Sequence, residues 1–173
     1  METVAEVSDE ELIRAGGTSE LVRRYYGPVY GLARRLLRNP VEARDVAQET
    51  FARAFRHLGE FRRGGSFRTW IFSITANHIR DLFRRRKPSS LEQAQEETLT
   101  ELLPPESGIL REENRQHLRT SVDKLPFDQR IVVVLHFQQE LPYAEIAETL
   151  GISVNAVRIR LYHALNALRK DLA

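Results

Sequence analysis

The chain has 173 residues, which allows one ordinary domain or two small ones. Hydrophobic residues make up 42% and charged residues 29%, as in chains that fold, and the absence of cysteine excludes disulfide staples, thiolate metal sites and cysteine nucleophiles. The net charge of +2 conceals an uneven spread: residues 1–88 hold 17 basic against 11 acidic side chains, residues 89–121 hold 3 against 7, and residues 122–173 hold 6 against 6.

In chain order, the first signal is Ser8 followed three residues later by Glu11, a capping box that starts a short helix ahead of Leu12 and Ile13. From Ser19 to Leu37, apolar residues recur at three-four spacing until Asn39-Pro40 stops the run, and Pro28 is expected to kink or divide this helix. Val41 to Leu58 places Val46, Ala47, Phe51, Ala54, Phe55 and Leu58 on one face, with Gly59 as its stop. Gly64-Gly65-Ser66 reads as a flexible loop ending in an N-cap, after which Phe67 to Arg86 forms a third long helix. Pro88 to Pro105 is polar, acidic and proline-rich, the composition of a linker. Beyond it, Gly108 to Val122 reads as a helix. Leu125-Pro126 introduces another, although Val132-Val133-Val134 suits a buried strand equally well. Tyr143 to Leu150, the Gly151-Ile152-Ser153 turn and Val154 to about Lys170 complete a helix-turn-helix. The fold class expected is all-α: two small helical domains, 1–88 and 109–173, joined by an acidic linker over 89–108.

The final hairpin is the most constrained. Gly151 can take the left-handed conformation that ends its first helix, and Ser153 caps the second. A helical wheel buries Val154, Val157, Leu161, Ala164, Leu165 and Leu168. The remaining surface carries Asn155, Arg158, Ile159, Arg160, Tyr162 and His163 and has no carboxylate before Asp171, which suits a DNA major groove. In the first domain, Phe61, Phe67, Trp70 and Phe72 lie among Arg62, Arg63, Arg68, Arg80, Arg84, Arg85 and Arg86. Aromatic rings interleaved with arginines suit stacking on unpaired bases, worth about 1–3 kcal/mol per base. The bland alternative is that Phe67, Trp70 and Ile71 fill the core, and the two roles can coexist.

Several segments resemble bacterial sigma factors. Asp45-Val46-Ala47-Gln48-Glu49-Thr50-Phe51, the run Phe67 to Asn77 and Asp81-Leu82-Phe83-Arg84-Arg85 are similar to their conserved region two. Leu125 to Arg130, Tyr143 to Ala147, Leu150 to Ser153 and Val157 to Leu161 are similar to region four. The order and short linker resemble the extracytoplasmic-function group, which keeps only these two regions. The resemblance implies that Asp45, Gln48, Glu49 and Arg53 dock on core RNA polymerase. It implies that Arg62, Arg63, Phe67, Trp70, Asn77, Arg80, Arg84 and Arg85 recognise and melt the minus-ten element, with Asn77 reading a flipped base. Asn155, Arg158, Ile159, Tyr162 and His163 fall where the family reads the minus-thirty-five element, with Arg160 on phosphate. Ile159 and His163 replace more polar residues common in relatives, so the base sequence read is this chain's own. An anti-sigma partner is also implied.

Enzyme readings find no support in the sequence. The five histidines make no metal-ligand spacing, there is no Gly-rich phosphate loop, and neither metal nor cofactor is expected. No stretch approaches the roughly 18 apolar residues of a membrane span, and the acidic start is unlike a signal peptide. A cytoplasmic protein without membrane insertion is therefore expected, held at the membrane only through an anti-sigma partner. The alternative from another class is a dimeric helix-turn-helix regulator with a helical sensing domain, binding duplex half-sites about one turn apart.

Overall fold

The computed structural model describes residues 7–61, 64–86 and 109–172; Arg62, Arg63 and the 89–108 linker lie outside the described residues. Those residues are helical, without a strand among them. In the first half, α1 spans Asp9–Ala15, α2 Thr18–Leu37, α3 Pro40–Arg56 and α4 Phe67–Arg85. In the second, α5 spans Ile109–Lys124, α6 Phe127–Val133, α7 Tyr143–Leu150 and α8 Val154–Leu172.

Local chemistry sets most boundaries. The Ser8 hydroxyl accepts from the Glu11 N–H while the Glu11 carboxylate accepts from the Ser8 N–H, closing the capping box of α1. Asn39 Oδ1 accepts from the Val41 and Glu42 N–H groups at 2.9 and 3.2 Å, and Pro40 stands where a helix needs no donor. Ser66 caps α4 through the Thr69 N–H at 3.2 Å. Pro28 neither divides nor ends α2, which runs through it as one element. α3 stops at His57 rather than at Gly59, and a 3-10 turn follows over Leu58–Glu60.

The valine run forms no strand. α6 passes directly into a π turn over Val134–Gln138, closed by the Gln139 N–H donating to the Val134 carbonyl at 3.1 Å. Pro126 opens α6 and the backbone groups of the run bond within their own helix, which leaves none for a sheet. Leu21, Leu32, Leu36, Ile71 and Phe72 form the core of the first half, and Ile131, Leu135, Leu141, Ile146 and Val157 that of the second; all are fully buried.

The two halves pack together, with α4 against α7 and α2 against α6. The Arg68 guanidinium donates to the carbonyl of Gln139, which is buried and sends its own side-chain N–H to the Pro28 carbonyl at 3.4 Å. The Phe83 and Phe127 rings lie 4.9 Å apart, and the buried Arg130 guanidinium sits 5.9 Å from the Phe83 ring. Arg38, in a left-handed conformation at φ 62°, reaches Asp123 at 3.3 Å. Arg68, grouped with the basic residues of a base-stacking surface in the sequence, is thus committed to this contact.

Candidate nucleic-acid interface

The α7–α8 hairpin follows the expected geometry. Gly151 ends α7 at φ 64°, and the Ile152 N–H closes back on the Ala147 carbonyl at 3.0 Å. Ser153 Oγ accepts from the Ala156 N–H at 3.1 Å. Ile146, Ala147, Leu150, Val157 and Leu161 fill the angle between the two helices. On the opposite side of α8, Asn155, Arg158, Ile159, Tyr162 and His163 are all exposed, with Tyr162 at 64% and Ile159 at 49%. A tyrosine and an isoleucine so open to water, among donors and with no acid on the helix before Asp171, suit contact with bases and phosphates. Arg160 stands apart: it is half-buried, with Nη1 3.5 Å from the Asp128 carboxylate at the start of α6. Phosphate would have to draw it away from that acid.

Two wheel assignments are corrected. Val154 and Leu165 are 36% and 38% exposed rather than buried. Val154 stands at the first position of α8, and Leu165 lines a cleft of about 510 Å³ with Leu118, Val122, Val134, Phe137, Leu168 and Arg35 of α2. The Phe137 ring at this cleft is 58% exposed.

On α4, Trp70, Asn77, Arg80 and Arg84 share one side of the helix, with Trp70 packed at the edge of the core and Asn77 and Arg84 exposed. Asn77 is exposed, and its Oδ1 accepts from Arg80 Nη1 at 3.2 Å. Arg84 and Arg85 are exposed at the end of the helix. Trp70 is half-buried, its ring 5.3 Å from Phe61 and 5.7 Å from Phe67. Phe67 itself is corrected from stacking residue to core: it is 2% exposed and held among Tyr25, Phe61 and Trp70, so no base can reach its face without repacking. Its place in the cluster is to support the Trp70 ring from beneath. Arg62 and Arg63 lie outside the described residues.

On α3, Asp45 and Gln48 are exposed, while Glu49 and Arg53 form an ion pair at 2.7 Å with Arg56 at 3.8 Å from the same carboxylate. The Arg53 hydrogen bond, against a smaller cost of desolvation, holds the Glu49 carboxyl below its ordinary range. Behind this pair lies His78 of α4, whose imidazole burial and the nearby Arg53 push toward the neutral form. The face is therefore a charged patch of mixed sign on a rigid helix, suited to a protein partner. Among the described residues, no group of three or more His, Asp or Glu side chains is placed to hold a metal, and no helix is long and apolar enough to cross a membrane.

Residues 21–88 match the family model of Sigma-70 region 2, and residues 115–168 that of Sigma-70, region 4. The ECF RNA polymerase sigma factor SigW of Bacillus subtilis is 34% identical, with 89% of this chain and 88% of that protein covered. The RNA polymerase sigma-H factor of Pseudomonas aeruginosa is 32% identical, covering 88% and 84%. Among solved structures, CnrH in complex with the cytosolic domain of CnrY aligns with a TM-score of 0.64 and 28% identity over 88% of this chain and 85% of that one. The sigma factor RpoE in complex with the anti-sigma factor NepR from Bartonella quintana, at 19% identity, shares the fold with a TM-score of 0.68 over 89% and 95%. The region 2 match covers the segment that the alternative reading made a sensing domain, and that reading is set aside.

Proposed function

The chain belongs to the extracytoplasmic-function sigma factors of bacterial RNA polymerase, and on that premise we propose how its surfaces divide the work of promoter-specific initiation. Asp45, Gln48, Glu49 and Arg53 on α3 dock on core RNA polymerase. Asn155, Arg158, Ile159, Tyr162 and His163 on α8 read the minus-thirty-five element in the major groove, with Arg160 turning from Asp128 to a phosphate. Trp70, Asn77, Arg80, Arg84 and Arg85 on α4, with Arg62 and Arg63 before it, capture the minus-ten strand as it unpairs. The functional units are 1–88 and 109–173, joined by the acidic linker over 89–108.

No covalent chemistry belongs to this reading. Melting is driven by exchanging base-base stacking for stacking on Trp70 and pairing with arginine, energies of the same order. Asn77 carries both a donor and an acceptor on one exposed amide, which is what a flipped base edge requires. The protein works in the cytoplasm, and an anti-sigma partner, common in the family, would hold it inactive.

The observation that carries the reading is the exposed, acid-free face of α8 behind a left-handed Gly151 turn. The test is co-elution of the full chain with core RNA polymerase on size exclusion, beside an Asp45→Arg/Glu49→Arg variant. Co-elution lost in the variant supports docking through α3. If the variant co-elutes like the parent chain, docking lies elsewhere.

A further inference from the structure

The region 2 match begins at residue 21, yet α1 upstream of it is wired into the part of the molecule that meets the melted strand. Two neighbouring carboxylates make the connection. Asp9 accepts from the Arg24 guanidinium and from the Tyr25 hydroxyl, and the Tyr25 ring lies 5.2 Å from Phe67, the residue beneath Trp70. Glu10 reaches across 54 positions of sequence to accept the Gly64 N–H at 2.7 Å. Gly64 sits at φ 82° in the segment that leads into α4.

Loop chemistry explains why such a tie matters. Two adjacent glycines lose more conformational freedom on ordering than any other pair, so Gly64-Gly65 resists a single conformation. A carboxylate anchored on a capped helix supplies a charge-assisted hydrogen bond at the left-handed residue itself. Leu12, buried beneath α1, and the Arg24 donation to the Val7 carbonyl at 2.9 Å keep that helix in place. Asp9 thus sets the aromatic platform from one side and Glu10 sets the loop from the other.

We propose that Glu10 is a positioning residue for promoter opening, holding the loop before α4 in the conformation that receives the unpaired minus-ten strand. It touches no base; it acts through Gly64. The proposal rests on the reading of Trp70 and Asn77 as strand-capturing residues, so both are tested together.

The experiment uses holoenzyme assembled from the full chain and core polymerase, on a promoter fragment selected by that holoenzyme, with 2-aminopurine in the minus-ten non-template strand. Glu10→Ala should slow opening about three- to tenfold, the worth of one hydrogen bond that water can partly replace. Glu10→Gln, whose side-chain carbonyl accepts the same N–H, should open within about twofold of the parent. Core binding should be unchanged in both, and melting temperature should fall by no more than the few degrees one exposed hydrogen bond is worth. Opening at the parent rate in Glu10→Ala, while Trp70→Ala is defective, overturns the inference and leaves the strand-capture reading intact. If Trp70→Ala and Asn77→Ala also open normally, the strand-capture reading falls and this inference with it. A defect in Glu10→Ala that comes with a lower melting temperature and proportionate loss of core binding marks a purely structural role and also overturns it.

Discussion

Phe83→Ala should loosen the contact between the two halves, and the structure sets the size of the effect. Phe83 meets the second half through Phe127, 4.9 Å away between ring centroids, and the Arg130 guanidinium at 5.9 Å. The aromatic pair contributes about 0.5–1.5 kcal/mol and the cation-π contact about 0.5–1 kcal/mol. Their loss, about 1–2.5 kcal/mol together, shifts the closed-to-open ratio roughly five- to seventyfold. Opening matters because α4 and α8 are separated here only by α7, which packs on both, and packed helices lie about 8–10 Å apart. The elements we assign to these helices are named for positions some 25 base pairs apart, about 85 Å of duplex at 3.4 Å per step. The packed arrangement cannot reach both. The chain has no cysteine, so single cysteines placed at the exposed Ser19 and Glu148 take a donor and an acceptor dye cleanly. Energy transfer should be high in the parent chain, fall in Phe83→Ala, and fall further on binding core polymerase. Equal transfer in parent and variant would refute the assignment of this contact as what holds the halves together.

The remaining predictions concern the hairpin and its surroundings. Gly151→Ala should destabilise the second half by about 1–2 kcal/mol in urea denaturation through left-handed strain alone, since a Cβ there meets nothing within 4 Å. Arg158→Ala should weaken minus-thirty-five duplex binding by about 1–3 kcal/mol if it reads a base, and by a loss shared across all sequences if it holds phosphate; fluorescence anisotropy on matched and mutated duplexes separates the two. His78 has its folded pKa depressed below 6.5, with burial as the main cause. The unfolded chain therefore takes up the proton first, so the stability from the neutral imidazole is full above about pH 6.5 and declines as pH falls through the folded pKa. His78→Gln should flatten the dependence of urea midpoint on pH between about 5 and 7.

Caps and turns were legible because their causes are local. Ser8, Ser66, Ser153 and Gly151 each act within four residues, and each does in the structure what its neighbours require. The features that escaped the sequence depend on distant partners. Arg68 and Gln139 are 71 positions apart, and no periodicity announces that an arginine among aromatics will be spent on a backbone carbonyl in the other half. Phe67 stands on the same side of α4 as Ile71, which makes it core, but its arginine-rich setting argued equally for bases. Leu165 lies on the wheel's apolar side, yet no helix covers it and it borders a cleft instead. For α3 and α8, the exposed polar residues were identifiable; that Arg160 faces Asp128, on another helix, was not.

The π turn at Val134–Gln138 carries a consequence for how this molecule could change over generations. A turn closed from residue i to i+5 holds one residue more than an α-helical turn, so the extra residue is absorbed within the turn and the chain beyond keeps the phase of an α-helix one residue shorter. That extra residue precedes Gln139, whose carbonyl and side chain both meet the first half. Deleting a single codon within the stretch would restore α-helical winding with Gln139 still facing its partners, whereas α-helical winding of the unchanged chain would rotate it by about 100°. Attachment between the halves thus tolerates the loss of one backbone unit here but not substitutions that draw the stretch into an α-helix.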